Sequence, residues 1–331
     1  MPEYSKNKTI KFFSIPSILF SSNFLKMITN VNNILPFYHC VSDNNVLHIN
    51  KLYRPVSINN FIKDLNFISK NFRPASLKQI NTEVNNSFFL SFDDGLSEVY
   101  QIVAPILSDK KIPCTFFVNT DFIDNKQMFY KHKISLILNL IESGISISQR
   151  KNIEKILENS AIEQQILNIS ALNSLLLEQI ALILNINFDE YLNTQKPYLS
   201  SEQIKILISE GFDIALHGKN HFRFNEISKE DRINEVKSGA DFLEKNYNLK
   251  TDLFAFPFTD FGLKKETFSE IYDKTSIKFT FGTAGIKKDS VAKNFQRIPM
   301  EINGLSGKKI IKTEFLLYFI KKIMNKHIII R

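Results

Sequence analysis

Apolar residues in this chain fall into two alternating patterns, short unbroken runs and longer stretches where they recur every third or fourth position. The runs predict strands over 34–40, 88–92, 114–118, 212–217, 253–256, 279–283 and 296–301. The periodic stretches predict helices over 58–68 behind a Ser57 cap, 99–107, 201–208, 228–247 and 264–272. Seven strands alternating with helices imply a parallel barrel or an open α/β sheet. Residues 131–197 break the rhythm. They place Ile153, Ile156 and Leu157 at helical steps with almost no Gly or Pro, which predicts two to four helices inserted into the main unit.

This divides the chain into an N-terminal arm (1–33), a barrel unit (34–305) interrupted by the insert, and a tail (306–331). The tail reads as a basic amphipathic helix over 308–331. Phe315, Phe319 and Ile323 share one face, with Lys312, Lys321, Lys322 and Lys326 around it. Such a helix either packs on the barrel or lies on an anionic membrane surface, which would suit a lipid-linked substrate.

At 331 residues the chain is long enough to bury a large core, and its 44% hydrophobic and 23% charged residues are those of a globular protein. The net charge of +8 is carried by scattered lysines and accompanied by no zinc-finger, homeodomain or RNA-recognition pattern. Nucleic acid is therefore not an expected partner. The two cysteines, Cys40 and Cys114, sit in apolar runs as free thiols and fit a cytoplasmic protein or one peripheral to the membrane. Lysines before the apolar run 12–20 leave room for an export signal, although Pro16 interrupts it. No stretch is long enough for a transmembrane helix.

The chemistry concentrates at strand ends. Residues 89–95, Phe-Leu-Ser-Phe-Asp-Asp-Gly, run from an apolar strand into two adjacent carboxylates and a glycine. Two neighbouring buried anions require compensation by a cation or strong hydrogen bonds. With a turn at Gly95, Asp94 is free to bind a metal while Asp93 handles protons; the alternative is a helix N-cap. After the fourth strand, His217 and His221 stand at a spacing that lets both imidazoles meet one ion, or else are two unrelated histidines of a surface loop. With Asp94 they form a two-histidine, one-carboxylate set that leaves a coordination position open. His39, Asp93, Asp94, His217 and Pro257 all lie at carboxyl ends of predicted strands, where barrels collect active residues.

The segment 90–95 resembles the first motif of the NodB-like polysaccharide deacetylases, and His217-x-x-x-His221 resembles their second. Thr-Phe-Phe-Val at 115–118 and Phe-Ala-Phe-Pro-Phe at 254–258 resemble the strand after the first motif and the loop of the third. The resemblance runs from about residue 36 to 301, broken by the insert. It implies a deformed (β/α)7 barrel and metal-dependent hydrolysis of acetyl groups, foremost N-acetyl, from a glycan or glycan precursor. By motif match, Asp94, His217 and His221 hold a divalent metal, foremost zinc, and Asp93 is the general base toward a metal-activated water. The usual C-terminal Leu-x-His acid is absent, but Tyr38-His39 matches a branch with a Tyr-His pair on the first strand. His39 is thus the candidate general acid, against a core histidine; His327 in the tail is not expected to reach the site. The usual arginine of the third motif is also missing, and Arg297 is a candidate to orient Asp93 or the sugar. Phe256, Pro257 and Phe258 form either an apolar wall for the substrate or ordinary core. The missing arginine and histidine leave two rivals open: a catalytically silent carbohydrate-binding or scaffold protein, and an amidase on a non-sugar substrate.

Overall fold

The computed structural model describes residues 2–17, 19–80, 82 and 85–331, with side chains of the first helix from residue 8 onward. Of the N-terminal arm, Met1, Ile18 and the side chain of Lys6 lie outside the described residues. Eight strands form one parallel sheet: β1 (Pro36–Tyr38), β2 (Leu90–Phe92), β3 (Cys114–Val118), β4 (Asp213–Leu216), β5 (Leu253–Ala255), β6 (Phe279–Gly282), β7 (Asn294–Gln296) and β8 (Ile298–Pro299). Their spatial order is β7-β6-β5-β4-β3-β2-β1-β8. The two end strands are consecutive in the chain, so the sheet closes into a ring broken only at Arg297. β7 pairs with β6 through Thr280 and Asn294, whereas β8 pairs with β1 through Pro36 and Ile298. The predicted strand over 296–301 is therefore two short strands that bridge opposite edges of the sheet. The predicted strand over 88–92 also divides, because Ser87–Phe88 pairs outside the barrel with Arg73–Pro74.

Strand alternation sorts the side chains. Tyr38, Leu90, Phe92, Phe116 and Phe254 pack outward into the main core, while Phe117, Ala215, Ala255 and Phe281 form a smaller cluster of their own. With 30 phenylalanines and no tryptophan, aromatic packing in the core falls to Phe: Phe92 stacks on Tyr38 at 5.4 Å and meets Phe61 edge-on at 5.7 Å. The outer layer includes α3 (Ile58–Asn71), α4 (Ala104–Asp109), α10 (Ser201–Ser209), α11 (Lys229–Tyr247) and α12 (Lys265–Lys274). Before α4, residues Val99–Val103 take a wider π-type turn where a continuous helix was expected.

The insert contains five α-helices rather than two to four: α5 (Tyr130–Ser143), α6 (Ile147–Leu157), α7 (Ile162–Asn168), α8 (Leu175–Leu184) and α9 (Phe188–Gln195), with a 3₁₀ turn at Ala171–Asn173. Local signals cut it more finely than its low Gly and Pro content suggests. Ser146 and Gln149 make a capping box, Glu158 and Asn185 end helices in the left-handed conformation, and Asn187 caps the next one. Ile134, Ile137, Ile153, Ile166, Leu177 and Ile180 give the insert its own core.

The tail also departs from expectation. Its helix, α13 (Gly307–Ile323), ends well short of residue 331 and packs on the arm helices α1 (Pro2–Ser17) and α2 (Ser22–Thr29) and on α3. Phe315 is buried and stacks on Phe72, so it is committed to the interior; no described helix is long and apolar enough to cross a membrane. Beyond the helix, Ile328–Ile329 pair with Lys288–Asp289, and Arg331 reaches two buried carboxylates, Asp260 and Asp289, the latter at 2.7 Å. Asn294 and Gln296 donate to the same pair. Arg331→Ala leaves two buried anions with amide partners only, and should lower unfolding free energy by about 2 kcal/mol. Urea unfolding checks this; a change near zero would show that the ion pair is idle.

Candidate active site

The carboxyl ends of the strands meet over one cavity of about 280 Å³. Asp93 extends β2, its N–H donating to the Tyr38 carbonyl at 2.9 Å. Asp94 would point away from Asp93 on a continuing strand. Instead Asp94 and Gly95 both take positive φ (72° and 65°), and the chain folds over so that both carboxylates border the cavity. A side chain at Gly95 would also press on Val118, with contacts of 3.1 and 3.3 Å.

Asp94 Oδ1 lies 3.4 Å from His217 Nε2 and 3.1 Å from His221 Nε2. The three ligand atoms fall within 4.8 Å of one another, and all three side chains are buried. Asp94 Oδ1 has no hydrogen-bond partner among the described residues. The Ala255 carbonyl accepts from His217 Nδ1 at 2.8 Å, which leaves Nε2 as the free lone pair. The turn between the histidines is built on Glu235 of α11: its carboxylate accepts from the Lys219 and Asn220 N–H groups at 2.9 and 2.8 Å. Burial outweighs the pull of Asp94 and holds His221 below its usual pKa, in the neutral form that a metal requires. For Asp94 the balance is opposite. Burial pushes it up, but the two imidazoles beside it, His221 foremost, hold it well below the carboxylate range. Two imidazole nitrogens and one carboxylate around an unpartnered oxygen fit a divalent transition metal.

Asp93 has different company. Arg297 donates Nη1 and Nη2 to its two oxygens at 2.6 and 2.7 Å, and a further bond to Ser91 Oγ at 3.1 Å. The guanidinium lies over the Phe37 ring at 4.2 Å and is fully buried. Burial pushes Asp93 up, yet the Arg297 charge prevails and lowers its pKa. Arg297 is fully buried and does not border the cavity, and of its two expected roles the geometry favours orienting Asp93. Pro257 is buried near Gly218 and does not border the cavity, whereas Phe258 stands in its wall. Phe256 borders the cavity from within the core, packed on Phe224 and Phe268.

His39 stands across the cavity with its ring a quarter exposed. Its Nδ1 forms a short hydrogen bond with Glu301, whose other oxygen accepts from the His39 and Cys40 N–H groups at 3.0 and 2.8 Å. Burial lowers the His39 pKa, but the Glu301 charge and hydrogen bond overcome it and raise it to about 10. His327 packs on Tyr318 and does not border the cavity.

Glu301 and Glu235 were not anticipated. Glu301 carries a usable signal, a carboxylate just beyond the last strand, whereas Glu235 is one of many acids on a surface helix. Further wall that was not anticipated comes from Phe129, just before the insert and against the His221 ring at 4.4 Å, and from Lys131 and Leu167 of the insert.

The family profile described as polysaccharide deacetylase matches residues 81–279. No curated protein matches the sequence. Among solved structures, the Streptococcus pyogenes deacetylase PplD in complex with acetate has a TM-score of 0.55 at 16% identity, covering 86% of this chain and 98% of that one. IcaB from Ammonifex degensii gives 0.55 at 16%, covering 86% and 97%. A de-N-acetylase from Aggregatibacter actinomycetemcomitans gives 0.54 at 15%, covering 85% and 99%. At these identities the structures establish a common fold.

Proposed function

Because the chain belongs to the polysaccharide deacetylase family, an enzyme family that hydrolyses acetyl groups of glycans, we propose that it removes N-acetyl groups using a divalent metal, foremost zinc, held by Asp94, His217 and His221. The observation that carries this reading is the buried, unpartnered Asp94 Oδ1 with two imidazole Nε2 atoms at 3.1 and 3.4 Å. When bound, the ion supplies Lewis acidity, acidifying water and polarising the acetyl carbonyl.

The chain's own residues move the protons. Asp93, kept ionised by Arg297, accepts the proton of the attacking water as general base. An amine leaves only if its nitrogen is protonated, and His39 is the acid. Its raised pKa keeps it charged at neutral pH, and with Nδ1 bound to Glu301 it presents Nε2 to the leaving group. Phe129 and Phe258 shelter the acetyl methyl.

Dialysis against a chelator should abolish acetate release from an N-acetylglucosamine oligomer, and one equivalent of zinc should restore it. Release that persists in metal-free protein would overturn the metal assignment. A loaded protein that frees acetate from no acetylated sugar would overturn the substrate assignment.

A further inference from the structure

Besides the two imidazoles of His217 and His221, four basic side chains border the catalytic cavity, His39, Lys51, Lys131 and Arg223, against two carboxylates, Asp93 and Asp94. Both carboxylates are already engaged, by Arg297 and by the two imidazoles. His39 pairs with Glu301, and Lys51 with Glu142 of the insert. Lys131 has no such partner: Nζ donates only to the carbonyls of Leu167 and Ile169, at 2.8 and 3.4 Å, and forms no ion pair among the described residues. Arg223 meets Glu226 through Nε at 3.2 Å.

Both heads are seated on aromatic rings. Lys131 Nζ lies 5.2 Å from the Tyr130 centroid and the Arg223 guanidinium 4.4 Å from that of Phe258, while those two rings are 6.5 Å apart. Burial first, and then the Arg223 charge, depress the Lys131 pKa, with Glu226 opposing. Two cations held close together at the half-buried edge of a cavity, one with no counter-anion, are unfavourable until an anion arrives. A bound divalent ion deepens that positive field.

We propose that the glycan deacetylated here carries an anionic substituent, a carboxylate or a phosphate, and that Lys131 and Arg223 grip it while the acetyl group occupies the cavity. This rests on the deacetylase reading above. It also accounts for the placement of the insert, since α5 brings Lys131 to the site and the C-terminal end of α7 supplies the carbonyls that fix its ammonium.

The test compares zinc-loaded protein on three acetylated oligosaccharides that differ only in a neutral, carboxylated or phosphorylated substituent, at low and high salt. The acidic substrates should show a kcat/KM roughly tenfold higher through KM, with the advantage shrinking as salt rises. Lys131→Met should erase that ratio and Lys131→Arg should retain it, a rescue that loss of mere packing does not predict. The carboxylate and phosphate arms identify the source of the charge. Equal turnover of acidic and neutral substrates, or a preference intact in Lys131→Met, would overturn the proposal. Binding of the same oligosaccharides to metal-free protein separates this outcome from failure of the deacetylase reading. With no turnover of any sugar, tighter binding of the acidic ones that Lys131→Met weakens still supports the grip, and equal binding refutes it.

Discussion

Arg297→Met should lower stability at neutral pH by about 3–5 kcal/mol and reduce kcat by roughly a hundredfold or more. Both effects follow from one pair. Arg297 is fully buried and gives two hydrogen bonds to Asp93, itself 2% exposed. Removing the cation leaves a carboxylate that water cannot reach, and its remaining recourse is to take up a proton. Burial already drives Asp93 upward, and the Arg297 charge is the largest opposing influence, so the variant's carboxyl becomes neutral and ceases to be a base. The pH dependence has a defined sign. A depressed native pKa contributes stability above the unfolded value of about 3.9 and loses it as pH falls through the native value. The gap between wild type and variant should therefore be widest at neutral pH and close in acid. Urea unfolding across that range measures it. Asp93→Asn in the variant background should recover most of the stability and none of the activity, since it removes the stranded charge together with the base. A single variant within about 0.5 kcal/mol of wild type would show that Asp93 finds other compensation.

The parts of this site legible in the sequence were those announced by local chemistry. Asp93, Asp94 and Gly95 end an apolar run, and His217 and His221 flank a glycine turn; the spacing of both pairs survives in the folded chain as geometry. Residues 114–118, buried throughout, read as a strand because an interior parallel strand is a continuous apolar run. What stayed hidden depends on contacts between distant segments. Arg297 meets Asp93 across 204 positions, and only ring closure by two strands that part at Arg297 itself aims it there. An apolar pattern shows that 296–301 is extended; it does not show that the stretch changes partners midway. The tail left two readings open for a related reason. Lysines and phenylalanines at helical spacing look the same whether the apolar face meets lipid or the arm and α3, and tertiary packing decides.

The missing third-motif arginine, which favoured a silent binding protein in the sequence, takes on another meaning in the fold. The guanidinium beside the candidate base comes from the break between β7 and β8 instead of the loop after β5. Two adjacent aspartates thus acquire opposite characters from their partners. Asp93 faces a fixed cation inside the barrel, and Asp94, turned by its positive φ, faces the Nε2 atoms of two imidazoles.

Glu301→Gln should uncouple the candidate acid from its charge. The amide carbonyl can still accept from the His39 and Cys40 N–H groups, so the loop after β1 keeps its shape. The imidazolium loses its counter-anion. Burial, the largest influence on His39, then acts with only Asp94 and Asp93 opposing it, and the pKa drops from about 10 toward or below its usual 6.5. The alkaline limb of kcat/KM should move down by two units or more, and activity at pH 8 should fall roughly tenfold or further. Stability changes with the sign expected for a raised native pKa. The contribution of the pair is fully present below about 6.5 and disappears as pH climbs through about 10, so the melting temperatures of wild type and variant should differ most in mild acid and converge in strong base. An NMR titration of the His39 ring assigns the shift directly. An alkaline limb that stays in place while that ring titrates near neutrality would remove His39 from the reaction, and a ring that still titrates near 10 in the variant would assign its charge to the aspartates instead.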